Sequence, residues 1–131
     1  YDGDGRTDAG VFRNGTWYTL QSNTGFRITQ FGQTGDVPVP ADYDGDGAAD
    51  FAVYRNGTWF MLSATTYTVK QLGEATDVPT PADFDGDGKT DLAVFRPSQG
   101  RWYIKKSGLG EASSFETVNL GSSSDAAVQA Q

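Results

Sequence analysis

The sequence predicts an all-β fold, a β-propeller built of four-stranded antiparallel blades, with three blade-length repeats in this chain. Three observations carry that expectation. Tyr1-Asp-Gly-Asp-Gly returns as Tyr43-Asp-Gly-Asp-Gly and as Phe84-Asp-Gly-Asp-Gly, at offsets of 42 and 41 residues, a period in the range of propeller blades. Each period holds four short runs of strand-forming residues separated by turn residues. No segment sustains a helical period, and 17 glycines in 131 residues favour tight turns over long helices.

Other columns keep the same frame. Val11-Phe-Arg matches Val53-Tyr-Arg and Val94-Phe-Arg, and Gly15-Thr-Trp-Tyr matches Gly57-Thr-Trp-Phe and Gly100-Arg-Trp-Tyr. Gly32 followed by Asp36-Val-Pro-Val-Pro-Ala-Asp42 matches Gly73 followed by Asp77-Val-Pro-Thr-Pro-Ala-Asp83. The chain therefore reads as one repeat domain, 1–131, with periods of about 1–42, 43–83 and 84–131.

Within one repeat unit the first strand is expected over Asp36–Ala41. Pro38 and Pro40 lie two apart and remove N–H groups from one side of it, which suits an edge strand lining a central channel. An acidic, glycine-rich loop follows. The second strand, Phe51–Arg55, and the third, Thr58–Leu62, are joined by Asn56-Gly57, the pair that best satisfies two positive φ angles in a tight hairpin. The fourth is Tyr67–Leu72. The third period is longer around Pro97-Ser-Gln and Leu109–Phe115, insertions expected at turns. Asp125-Ala-Ala-Val-Gln-Ala-Gln131 aligns with Asp77–Asp83, so residues 122–131 are expected to be a first strand completing a blade.

Composition excludes much chemistry. The chain has no Cys and no His, which removes disulfides, thiol nucleophiles and imidazole acid–base catalysis. Ten basic and 17 acidic residues give a net charge of −7, the wrong sign for a nucleic-acid binder. No apolar run reaches the length of a membrane span, and no charged-then-apolar leader is present. The opening at Tyr1 without Met fits a processed or trimmed product.

The acidic loops carry the strongest functional signal. Numbered from the first acid, they read Asp42-x-Asp44-x-Asp46-Gly47-x-x-Asp50 and Asp83-x-Asp85-x-Asp87-Gly88-x-x-Asp91. The first copy lacks the opening acid and keeps Asp2, Asp4 and Asp8. Alternate acids converge on one point only where the backbone turns sharply, which the intervening glycines permit. Carboxylates without nitrogen or sulfur donors select a hard cation, and many ligands on a flexible loop favour Ca²⁺ over Mg²⁺. Position seven, a backbone carbonyl in such loops, is Arg6, Ala48 and Lys89. The loops hold three, four and four of the 17 acids, so up to three Ca²⁺ would bring −7 to −1. An EF-hand is excluded, because its twelfth-position Glu is replaced by Val11, Val53 and Val94 in strand-forming stretches.

This loop, set between a Pro-containing strand and an Ala-Val-Phe-Arg strand, resembles the FG-GAP/VCBS repeat, the blade unit of integrin α-subunit propellers and of many bacterial surface proteins. The resemblance spans nearly the whole chain. It implies a Ca²⁺-stabilised propeller, extracellular or at the cell surface, non-enzymatic, and serving in adhesion, glycan binding or structure. The chain departs from the family in having three repeats where about seven are usual, and in lacking the first acid of its first loop.

Trp17, Trp59 and Trp102 share one column, and Arg13, Arg55 and Arg96 another. The Trp column is expected to fill space between blades; its functional alternative is a lectin, with inter-blade aromatic pockets as sugar platforms. The Arg column is expected to stack on or hydrogen-bond to neighbouring structure. Asn14-Gly-Thr16 and Asn56-Gly-Thr58 fit the N-glycosylation pattern, though their turn role explains them. The partner expected is a second copy of the chain, by strand donation that makes a dimer of six blades or a filament. A glycan or protein ligand is the further possibility.

Overall fold

The structure, a computed structural model, describes residues 1–107 and 116–119. The expected insertion at Leu109–Phe115 and the expected strand at 122–131 lie outside the described residues. The described chain is all β, in three antiparallel sheets. The first sheet holds β1 (Ala9–Arg13), β2 (Thr16–Gln21) and β3 (Gly25–Gln30), in that order. The second holds β4 (Val37–Pro38), β5 (Phe51–Arg55), β6 (Thr58–Leu62) and β7 (Tyr67–Gln71), again in chain order. The third pairs β8 (Val78–Pro79), β9 (Leu92–Arg96), β10 (Arg101–Lys105) and β11 (Glu116–Asn119) in the same succession. No helix among the described residues is long and apolar enough to cross a membrane.

The hairpins follow from their turns. Asn14 and Asn56 both sit at φ 50°, each followed by a glycine at positive φ, 81° at Gly15 and 87° at Gly57. Two left-handed residues in succession match the twist of the flanking strands. The third hairpin accommodates its insertion in the turn, where Gly100 N–H donates to the Arg96 carbonyl at 2.9 Å.

The first strand is shorter than Asp36–Ala41. Only Val37 and Pro38 form ladder pairs, opposite Tyr54 and Val53. Val39 N–H still donates to the Ala52 carbonyl at 2.8 Å, and a single bridge joins Ala41 to Asp50. Val39 and Ala41, which bond across to Ala52 and Asp50, alternate with Pro38 and Pro40, so the missing N–H groups fall on the open side of the strand. The strand does lie at the edge of its sheet, as the prolines require.

Alternation along each strand sends one set of side chains to the preceding sheet and the other to the next. Trp17 packs against Phe51 of the second sheet at 5.2 Å between ring centroids, and Tyr1 stacks on the same ring at 5.4 Å. Trp59, Tyr54, Met61 and Ala52 form the main core with Leu92 and Val94 of the third sheet. The buried indoles keep their N–H groups satisfied: Trp17 donates to the Phe31 carbonyl at 2.9 Å, and Trp59 to the Leu72 carbonyl at 3.0 Å. Trp17 and Trp59 are therefore packing between sheets, Trp102 packs on Phe84 and Phe95 of its own period, and Trp59 has no exposed surface to offer a sugar.

Candidate metal centres

The second and third acidic loops link β4 to β5 and β8 to β9, the first leads into β1, and the glycines give each its shape. Gly45 and Gly47 adopt φ 83° and 90°, Gly86 and Gly88 77° and 87°, and Gly3 and Gly5 77° and 83°. A side chain at those angles would be strained. Each left-handed glycine lets the preceding aspartate accept the N–H two residues on, the local pattern of an Asx turn. Asp44 accepts from Asp46 N–H at 3.0 Å, and Asp46 from Ala48 N–H at 2.8 Å. Asp85 and Asp87 repeat this with Asp87 N–H and Lys89 N–H, as Asp2 and Asp4 do with Asp4 N–H and Arg6 N–H.

The acid at position one holds the whole turn. Asp42 accepts from Gly45, Asp46 and Gly47 N–H at 2.6, 3.1 and 2.9 Å. Asp83 accepts from Gly86, Asp87 and Gly88 at 2.7, 3.2 and 2.9 Å. Those donors, Gly88 N–H first, hold the Asp83 carboxyl below its ordinary value. At position nine the carboxylate ties the loop back to its start. Asp50 accepts from Tyr43 N–H at 2.9 Å and Asp91 from Phe84 N–H at 2.8 Å.

The result is three clusters of carboxylates. Asp2, Asp4 and Asp8, then Asp42, Asp44 and Asp50, then Asp83, Asp85 and Asp91, each bring oxygens within 4.8 Å of one another. All donors are oxygen, which is the chemistry of a hard cation. Asp46 and Asp87 stand outside these sets. Arg6, Ala48 and Lys89 enter the loops through the N–H bonds already described. Adjacent loops also touch, since Thr90 N–H donates to the Asp42 carbonyl at 2.8 Å.

The charge environment differs from loop to loop. Asp8 is held down to about 2, first by the terminal ammonium of Tyr1 at 2.6 Å and then by Ser22 N–H at 2.9 Å. Burial pushes Asp50 up to about 6, and repulsion from Asp44, Asp46 and Asp42 adds to it. The loop donors Ser22 and Ser107 escaped the sequence reading. Ser22 Oγ donates to Asp4 at 2.6 Å, Ser107 Oγ to Asp87 at 2.9 Å, and Ser107 N–H to Asp91 at 2.7 Å. Both follow the column tryptophan by five residues, where the middle period has Ala64.

Asp36 and Asp77 lie outside the loops, as their sequence position implied, but they are not idle. Each forms a fork with the column arginine nineteen residues on. Arg55 donates to Asp36 at 2.5 and 2.7 Å while its guanidinium lies over Phe60. Arg96 donates twice to Asp77 at 2.8 Å and lies over Tyr103. Burial would raise the Asp36 carboxyl, but the Arg55 hydrogen bonds and the Gln33 N–H hold it below its ordinary value.

Comparison with curated proteins and with solved structures returned no match. Comparison with protein-family models returned one for the FG-GAP repeat over residues 77–114. That span takes in Asp77, the third acidic loop, β9 and β10. Residues 77–114 are similar to the FG-GAP repeat.

Proposed function

We propose that the chain is a non-enzymatic, Ca²⁺-binding β-propeller module acting outside the cell in structural assembly or adhesion. One observation carries this reading: the acidic loop of each of the three sheets gathers three carboxylates, from loop positions three, five and nine in the first and from positions one, three and nine in the other two. Packing such acids together without a cation is repulsive. The residues that would hold the ions are Asp2, Asp4, Asp8 and the Arg6 carbonyl; Asp42, Asp44, Asp46, Asp50 and the Ala48 carbonyl; and Asp83, Asp85, Asp87, Asp91 and the Lys89 carbonyl. The ion would tie the first strand of a sheet to its second, so its chemistry is structural. The three periods form one repeat domain whose sheets are propeller blades, and it self-associates through residues 122–131.

The absence of His and Cys from the sequence and the commitment of the clustered acids to a cation both favour a non-catalytic role. Surface location accords with FG-GAP repeats, which are typically extracellular. The lectin reading loses its platforms, because Trp17 and Trp59 are buried between sheets. Calcium titration by calorimetry, with thermal unfolding in excess Ca²⁺ and in excess chelator, tests the proposal. A higher midpoint in Ca²⁺ and a stoichiometry of two to three support it. An unchanged midpoint and no heat of binding would overturn it, and hits on a glycan array would put the lectin ahead.

A further inference from the structure

Between the second and third sheets lies a cleft of about 200 Å³ whose chemistry departs from the repeat. Three of the chain's four lysines, Lys70, Lys105 and Lys106, line it. All three are half-buried, where lysine is ordinarily exposed. A chain of net charge −7 thus places most of its ammonium groups at one site. The repeat does not account for them. By ladder register, the same positions in the preceding pair of sheets are Thr29, Leu62 and Ser63.

The space differs as well. Between the first and second sheets, Tyr1 stacks on Phe51 at 5.4 Å and Trp17 packs on the same ring at 5.2 Å. Leu92 stands in the position of Phe51, and a side chain without a ring leaves room beside Tyr43 and Met61. Hydroxyls complete the lining, from Ser63, Thr66, Thr68, Thr90 and Ser107. A lysine ammonium only donates, whereas a hydroxyl both donates and accepts. The lysines therefore suit an oxyanion, and the hydroxyls suit a ligand that itself carries hydroxyls. Met61, Leu92 and Tyr43 supply an apolar wall for the C–H groups of a sugar ring. The volume lies below the roughly 300–1,000 Å³ of pockets that enclose drug-sized ligands, so the group that fits is small. Asp44 and Asp50 of the middle acidic loop also line the cleft. Uncompensated, they repel an anion; a cation held by that loop removes the repulsion.

We infer that this cleft binds an acidic sugar residue, whose carboxylate meets Lys70, Lys105 and Lys106 and whose hydroxyls meet the serine and threonine side chains. The site names a ligand class for the adhesion reading, and it rests on that reading's cation in the middle loop. It needs no tryptophan platform. Because cation and sugar acid favour each other, each should raise the other's affinity by the same factor.

The test follows amide ¹H–¹⁵N shifts of the full chain as D-glucuronate is added in Ca²⁺ at constant ionic strength. D-glucose and sodium sulfate serve as the neutral ring and the bare anion. Glucuronate should bind about tenfold or more tightly than either, the worth of one hydrogen bond to a charged group. Lys70→Gln, Lys105→Gln and Lys106→Gln combined should erase that preference. Leu92→Phe places a ring where the first pair of sheets already has one, and should block the sugar while Ca²⁺ still binds. Arg27→Gln, at an exposed position of the first sheet, should leave binding unchanged. Equal affinity for glucose or sulfate, full binding by Leu92→Phe, or no glucuronate response would overturn the assignment. Undiminished binding in chelator would overturn its dependence on the cation. A Ca²⁺ titration without sugar reports the cation reading separately, so heat of Ca²⁺ binding with no glucuronate response defeats this inference alone.

Discussion

The first and second sheets carry nearly the same residues and live in different surroundings. Val11-Phe12-Arg13 and Val53-Tyr54-Arg55 occupy the same strand positions and the same hairpin register. Val53 and Tyr54 are 1% and 3% exposed, while Val11 is 60% exposed. On the same face of the first sheet, Leu20, Phe26 and Ile28 are exposed to about the same degree. A column of a repeat therefore specifies what a side chain can do. The neighbouring repeat decides whether it does so in a core or at a surface, as expected where each unit contacts only its neighbours.

The largest effect expected is loss of the cations. Ca²⁺ at a hundred times its dissociation constant adds about 2.7 kcal/mol for each occupied site, and each kcal/mol is worth roughly 3–5 °C in a chain of this size. Calorimetric scans in Ca²⁺ and in chelator check this. Among single substitutions, Asp44→Ala should abolish the middle site in a calcium titration. Asp46→Ala should weaken it less, because Asp46 stands outside the cluster and already accepts Ala48 N–H.

Next in size is the core. Trp59→Ala should cost about 3–5 kcal/mol, the usual range for a buried aromatic, since Trp59 is 0% exposed and its N–H is satisfied internally. Phe26→Ala, on the open face of the first sheet, should stay within about 0.5 kcal/mol. Chemical denaturation of the two variants measures the contrast directly. Equal losses would mean that the first sheet's outer face is covered in solution.

Much of this was legible in the sequence, and the remainder has physical reasons. The period, the Asn-Gly hairpins and the three acidic loops are local patterns, and local patterns survive without a neighbour to read them against. The two-residue length of β4 was not legible, because Pro38 and Pro40 blank the open edge of the strand and not the side that meets β5. The fork from Asp36 to Arg55 spans nineteen residues and joins two separate columns, so neither column alone disclosed it. Ser22 and Ser107 reach the acids from the start of the β2–β3 connection and from just beyond β10. Only the shared spacing from Trp17 and Trp102 marks them.

The fork predicts a pH dependence that should differ between sheets. The Asp36 carboxyl is depressed below its ordinary value when folded. Its contribution is therefore fully present above a pH of about 4, the unfolded carboxylate value, and fades as pH falls through the lower folded value. Arg55→Ala leaves the Asp36 carboxylate, whose side chain is 1% exposed, without its ionic partner. A loss of about 2–3 kcal/mol at neutral pH is expected, somewhat below the range for a fully buried pair because Arg55 is itself partly exposed. Arg13→Ala, which breaks no ion pair among the described residues, should cost under about 0.5 kcal/mol in the monomer. Urea titrations at pH 7 and pH 3 check both, and the difference between the two variants should shrink at the lower pH.

The smallest effect expected separates the acidic loops themselves. In the outer two, a serine five residues past the tryptophan gives its hydroxyl to Asp4 or Asp87 and its N–H to Asp8 or Asp91. The middle period has Ala64 there, and it is the middle loop whose position-nine acid is pushed up to about 6 by burial and by the surrounding carboxylates. Without a cation, the middle loop thus holds its acids together with fewer donors than its neighbours. Ala64→Ser restores the hydroxyl and should stabilise the cation-free chain by about 1 kcal/mol, the ordinary net worth of a hydrogen bond. In saturating Ca²⁺ the gain should be smaller, because the cation already neutralises the acids that the serine would serve. The interval between the midpoints in Ca²⁺ and in chelator should therefore narrow in Ala64→Ser, while Ser107→Ala should widen it. Equal gains with and without Ca²⁺ would mean that the serine acts on the strand connection and not on the carboxylates.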